Sequence, residues 1–183
     1  MEFENGQEVI FIHPRQGYVL KSTHLPNDEK VFVNVCQDEG VDCPSVTLPE
    51  DASRHENLLN TWSIPHAESP QPRKDVDRNG KACTVYDVIF HPQTLELAEK
   101  NLRFKSLLSD TALNSVEKAY NVKLARSKAK VKHPKMLCKG KPGAIVIQRP
   151  RGEQDQTSKE RKEPAYEVNY GSQNRYYNQV TRI

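Results

Sequence analysis

The 183-residue sequence predicts an α+β fold: a single domain with a central mixed β-sheet flanked by helices, followed by a disordered C-terminal tail. Three observations carry that expectation. Cys83-Thr-Val-Tyr-Asp-Val-Ile-Phe90 is an eight-residue run of β-branched, aromatic and apolar residues with Asp87 its only charge, opened by Gly80 and closed by Pro92, and it reads as a buried strand. Leu95, Ala98 and Leu102, then Leu113, Val116 and Tyr120, recur at helical spacing directly after it. From Gln148 onward the chain is polar and lacks aliphatic residues to bury. These observations divide the chain into an extension over 1–7, a domain over 8–147 and a polar tail over 148–183.

Taken in order, Glu8-Val-Ile-Phe-Ile12 is a short strand-like run stopped by His13-Pro14. Residues 17–22 form a second extended segment. The Pro26–Glu29 turn then leads into Lys30-Val-Phe-Val-Asn-Val-Cys36, whose β-branched density predicts a strand. Tyr18 to Cys36 therefore reads as an antiparallel pair, and hairpin geometry places Lys21 and Lys30 close together at its loop end. Residues 37–60 are acidic and Pro-containing and read as a loop, with Trp62-Ser-Ile-Pro65 a short apolar anchor. Residues 66–79 read as a long surface loop leading into the central strand. Pro92 ends that strand and starts a helix over about 93–107, and Ser109-Asp110 reads as the cap of a second helix over about 110–121. Ala144-Ile-Val-Ile147 offers one last strand.

Charge is unevenly distributed. Residues 1–75 hold six Lys/Arg against 13 Asp/Glu, a net of −7, whereas residues 76–183 hold 21 against 11, a net of +10. A basic half favours anionic partners. The run Arg126–Lys141 concentrates seven basic residues with no acid. It reads as a solvated charged face, as a surface for phosphorylated or acidic peptides, or as a nucleic-acid contact. Base-stacking aromatics are not interleaved with it, which disfavours the last. No apolar stretch approaches the ~20 residues needed to span a bilayer. Cys36, Cys43, Cys83 and Cys138 show neither Cys-x-x-Cys nor zinc spacing and read as free thiols of a reduced compartment. No phosphate-binding Gly loop, His-Glu-x-x-His or nucleophile signature occurs. No catalytic residue, metal ligand or cofactor is expected, and a binding module is favoured over an enzyme. Asp87, nearly buried within its strand, requires a cationic or backbone N–H partner.

The segments Tyr18-Val-Leu-Lys-Ser22, Lys30–Cys36, Trp62-Ser-Ile-Pro65, Asp77-Arg-Asn-Gly-Lys-Ala-Cys-Thr-Val-Tyr-Asp-Val-Ile-Phe-His-Pro92, Phe104–Leu124 and Lys139-Gly-Lys-Pro142 resemble, in register over about residues 8–147, the N-terminal domain of the PIH family, and most closely its axonemal dynein assembly branch. The resemblance implies a non-enzymatic co-chaperone or adaptor in the cytoplasm. It would link heat-shock chaperones to axonemal dynein heavy chains during pre-assembly of dynein arms for the cilium, and bind acidic phosphoserine peptides. It also implies which residues would do so. Two family lysines fall on Lys21 and Lys30. A third falls on Asn79, with Lys81 two residues on. The remaining cations fall in the segment matching 126–135, where Lys132 and Lys135 are the candidates. Adaptors for other assemblies, such as small nucleolar ribonucleoproteins, are the alternative within the family, and a nucleic-acid-binding protein is the alternative outside it. Family members of this branch are longer, with a helical N-terminal region and a β-sandwich domain of the CS type, so the sequence reads as a fragment or short isoform.

Overall fold

The computed structural model describes residues 2–4, 7–47, 61–131, 136–149 and 181–182. In chain order the strands before the helices are β1 (Glu2–Glu4), β2 (Gln7–Ile12), β3 (Arg15–Thr23), β4 (Lys30–Gln37), β5 (Ser45–Thr47), β6 (Thr61–Ser63), β7 (His66–Glu68), β8 (Arg73–Val76) and β9 (Ala82–Phe90). Helices α1 (Pro92–Lys100) and α2 (Leu102–Ala119) follow, then a short 3₁₀ turn (Arg126–Lys128), β10 (Lys130–Val131), β11 (Ile145–Arg149) and β12 (Thr181–Arg182).

The principal sheet runs β10-β3-β4-β9-β7, with β8 also paired to β9. β3 and β4 are antiparallel, as expected, while β4 lies parallel to β9 with Asn34 opposite Asp87. The sheet is therefore mixed, and β9 is its buried centre, with every residue from Cys83 to Phe90 inaccessible. Such continuous burial requires cover on both faces. On one face, Val31, Val33 and Val35 of β4 and Tyr86, Val88 and Phe90 of β9 pack against Leu95, Phe104, Leu108, Leu113 and Val116 of the helices. Each such aliphatic side chain contributes about 1.5–3 kcal/mol by leaving water. The opposite face carries two smaller clusters. Ile12, Cys36, Ile89 and Ile145 pack at one end, beneath the separate β1-β2-β11 sheet, and Val19, Phe32, Cys83 and Val85 at the other.

Four expectations need correction, the first being that 37–60 is all loop, since Ser45–Thr47 forms β5 against β6. Residues 66–79 are not simply a loop: β7 and β8 both pair antiparallel with β9, satisfying the backbone groups on the side away from β4. Pro70 and Pro72, which signalled a loop, fall in the break between them. The helix boundary lies at Asn101, whose side chain accepts from the amides of Arg103 and Phe104, at 2.9 and 3.2 Å. Ser109 lies inside α2, where its hydroxyl turns back onto the Lys105 carbonyl. Leu102, read as part of the first helix's apolar face, opens α2 and is 82% exposed. The run after Ala144 does form a strand, β11, extending to Arg149. Of the expected tail, 150–180 and 183 lie outside the described residues, and β12 pairs parallel with β6. No helix among the described residues is long and apolar enough to cross a membrane.

Candidate anion-binding site

On the sheet face away from the helices, strand parity sets which side chains meet. Lys30, Phe32, Asn34 and Cys36 alternate along β4 with the helix-facing valines, and Lys21 of β3 sits opposite Phe32. Lys21 and Lys30 therefore project from the same face, and both line a cavity of about 400 Å³. Phe32 and Met136 give it an apolar floor, and Asp77, Arg78, Asn79 and Lys139 complete it.

The hairpin between β8 and β9 explains the second wall. Its three-residue loop, Arg78-Asn79-Gly80, closes with the Gly80 amide on the Asp77 carbonyl at 3.0 Å and the Asp77 amide on the Lys81 carbonyl at 2.8 Å. Gly80 has φ 72°, a conformation that disfavours residues with a Cβ. One oxygen of Asp77 accepts from the amides of Asn79 and Lys81, at 2.8 and 3.0 Å, and the other bonds the Lys30 ammonium. Asp77 thus fixes both the loop and the lysine, and its side chain is 6% exposed.

The third wall comes from the end of the basic run. Lys139 is tied down through its backbone: its amide donates to Asn34 Oδ1 at 2.8 Å, and its carbonyl accepts from Asn34 Nδ2 at 3.0 Å and Arg73 Nη2 at 3.2 Å. Its ammonium reaches Asp75 Oδ2 at 2.9 Å and the Val76 carbonyl at 2.7 Å, and lies 5.9 Å from the Phe32 ring centroid. The hydrogen bond from Lys139 holds the Asp75 carboxyl below its ordinary range. The lining carries four cations against one carboxylate, and Lys21 and Arg78 have no acidic partner among the described residues. An anion entering there meets two uncompensated charges beside two already positioned ones.

Beneath this wall lies the partner that Asp87 requires. Arg73 binds it through Nε to Oδ2 at 3.0 Å and Nη2 to Oδ1 at 2.9 Å, and Asn34 adds a bond at 2.6 Å. The forked pair is structural, set under the cavity and not in it.

Of the five residues proposed from sequence, the structure brings Lys21 and Lys30 together. Lys81 belongs to the same hairpin, but its side chain is exposed and does not line the cavity; Asn79 does. Lys132 and Lys135 lie outside the described residues. The cations that sequence reasoning did not assign to the site are Arg78 and Lys139. The Asp-x-Asn-Gly turn signal held the clue to Arg78, whereas nothing local marks Lys139 among its basic neighbours. Lys21 also borders a second cavity of about 380 Å³, lined by Ser22, Thr23, Ser127, Lys128 and Lys130, so the start of the basic run continues the cationic surface.

Elsewhere, exposed Cys43 approaches His91 Nε2 at 3.4 Å, a contact not foreseen from sequence. His91 Nδ1 is occupied as the cap of α1, accepting from the Gln93 amide at 3.1 Å. No group of three or more His, Cys, Asp or Glu side chains placed to hold a metal occurs among the described residues.

The family model for the PIH1 N-terminal domain matches residues 1–155. The chain belongs to that family. Among curated proteins it is similar to protein kintoun of Drosophila grimshawi, 43% identical over 149 residues, and of Anopheles gambiae, 44% identical over 149 residues. Those alignments cover 81% and 80% of this chain but 16% of each relative, so the chain spans about one-sixth of the length of the relatives it matches. Among solved structures, the N-terminal domain of yeast PIH1p superposes with a TM-score of 0.63 at 26% identity, covering 76% of this chain and 93% of that one.

Proposed function

We propose that this chain is a non-enzymatic adaptor module that captures acidic, phosphoserine-bearing client peptides for chaperone-assisted assembly in the cytoplasm, with axonemal dynein heavy chains as the client class and heat-shock chaperones as the machinery. The observation that carries the reading is the cavity in which Lys21, Lys30, Arg78 and Lys139 converge over Phe32 and Met136. A phosphate dianion offers three oxygens to such a cluster and takes charge-assisted hydrogen bonds from it. Acidic residues flanking the phosphoserine would lie along the second cavity toward Lys128 and Lys130. The similarity to kintoun proteins supports the dynein branch as client.

Fluorescence anisotropy with a labelled peptide carrying phosphoserine among Asp and Glu tests the site. Charge-assisted bonds contribute about 1.5–3 kcal/mol each, so Lys21→Ala with Lys30→Ala raises Kd by more than about tenfold. Lys81→Ala has a smaller effect, and the unphosphorylated peptide binds weakly. Equal binding of the two peptides, or a double variant that binds like the parent, refutes the reading. Capture of dynein heavy chains from ciliated cells by the parent chain, and not by the double variant, tests the client class.

A further inference from the structure

The face that bears the cavity also brings together two cysteines far apart in sequence. Asn34 and Cys36 stand two residues apart on β4 and point the same way. Asn34 grips the backbone of Lys139 at both its amide and its carbonyl, which brings the preceding residue, Cys138, to the stretch of β4 that carries Cys36. Each thiol acts on the other, Cys138 pushing Cys36 up and Cys36 drawing Cys138 down. Cys36 is fully buried, Cys138 is half-buried, and the Arg73 guanidinium that holds Asp87 lies close enough to act on both thiols.

We propose that Cys36 and Cys138 form a redox-active pair that closes into an intramolecular disulfide by exchange with a small-molecule disulfide such as oxidised glutathione. The chemistry divides unequally between them. Cys36 beside it, helped by the charge of Arg73 and opposed by burial, holds Cys138 below the ordinary thiol range, while Cys138 and burial push Cys36 far up. Thiolate character therefore sits on the sulfur that solvent reaches. Cys138 attacks one sulfur of the external disulfide, forming a mixed disulfide and releasing one thiolate. Cys36 then gives up its proton, attacks the Cys138 sulfur and expels the second thiolate. The protein loses two hydrogens and the external disulfide is reduced to two thiols.

The other cysteines lack this arrangement. Cys83 is buried and pushed up by desolvation, and Cys43 is exposed beside a histidine committed as a helix cap. Disulfides in reducing compartments are mostly transient and sensing ones, which suits a pair built from a strand and a loop held by side-chain bonds. The bridge would tie the loop carrying Met136 and Lys139 to the strand carrying Lys30 and Phe32, fixing one wall of the cavity against another. The inference stands on the cysteines alone and is independent of what the cavity binds.

The test uses the full chain, reduced and then equilibrated across a series of glutathione redox ratios, alkylated, digested and mapped by mass spectrometry. The expected result is a cross-linked peptide containing Cys36 and Cys138 that forms before any other thiol is oxidised, in monomeric protein. A rise of about 5 °C or more in the thermal midpoint, reversed by dithiothreitol, should accompany it, because the bridge closes a loop of about 100 residues. Cys138→Ser, at a half-buried position, should abolish both, whereas Cys43→Ser should leave them intact. A stable glutathione adduct on Cys138 without a cross-link, earlier oxidation of Cys43, or linkage between chains would overturn the proposal.

Discussion

Replacing Arg73 by Met removes the guanidinium but retains an apolar side chain along its path. Asp87 is 2% exposed and would keep a single donor, Asn34 Nδ2, which already serves the Lys139 carbonyl as well. Losing one partner of a buried ion pair costs about 3–5 kcal/mol, because the remaining charge has no water to turn to. The Arg73 side chain is 30% exposed, so solvent recovers part of that, and the lower end, about 3 kcal/mol, is the expected loss. Against a typical domain stability of about 5–15 kcal/mol this is a large fraction. Urea denaturation followed by circular dichroism reads it as a midpoint lowered by about 1.5 M, for a slope of about 2 kcal/mol/M. Adding Asp87→Asn to Arg73→Met removes the stranded charge and should restore at least half of the loss, a coupling visible in the double-mutant cycle. A single variant losing less than about 1 kcal/mol, or a double variant as unstable as the sum of the two singles, would refute the assignment of this pair as the support beneath the cavity.

Gly17→Ala places a Cβ 2.5 Å from the Val35 carbonyl oxygen and 2.4 Å from Leu95 Cδ2, and should cost about 1–3 kcal/mol by thermal or chemical unfolding. Asn101→Ala leaves the amides of Arg103 and Phe104 uncapped and should cost about 1 kcal/mol, measured in the same way. Stability should also fall on both sides of neutrality. Glu29, held low by its bond from Lys74, and Asp75, held low by Lys139, have folded pKa values below their ordinary 4.5 and 3.8. Their contribution is complete above those values and lost as pH falls through the folded ones, so the urea midpoint should decline below about pH 5. Tyr18 is pushed up by burial to about 12, so its contribution is complete below pH 10.0 and lost as pH rises through 12.

The central strand and the β3–β4 pair were legible because burial on both faces demands unbroken apolar or alternating runs, and Cys83–Phe90 and Lys30–Cys36 supply them. β7 and β8 were not, because three- and four-residue edge strands expose alternate polar side chains and owe their existence to the unpaired flank of β9. The helix break was misplaced because Ser109-Asp110 has the composition of a cap. Within a continuous helix the amides there are already paired, and it is Asn101 that meets free ones. Lys21 and Lys30 could be joined on paper since one hairpin carries both. Arg78 waited on the shape of a loop, and Lys139 on a clamp from Asn34, a contact spanning 105 residues. That Asp87 needed a partner followed from its burial, whereas the choice of Arg73 followed from β8.

The three walls of the cavity come from residues 21–32, 77–79 and 136–139, so it has no counterpart in any shorter stretch of the chain. During synthesis the β3–β4 hairpin emerges first and already displays Lys21 and Lys30, yet they face no opposing surface. The parallel pairing of β4 with β9 must then bring Asn34 to Asp87 across an intervening loop, the slow kind of contact to make. Lys139, the most C-terminal cation of the lining, arrives last and depends on the Asn34 clamp. The assembled cavity is thus a mark of completed folding: a chain half-way through its own folding would display cations but no seat for an anion.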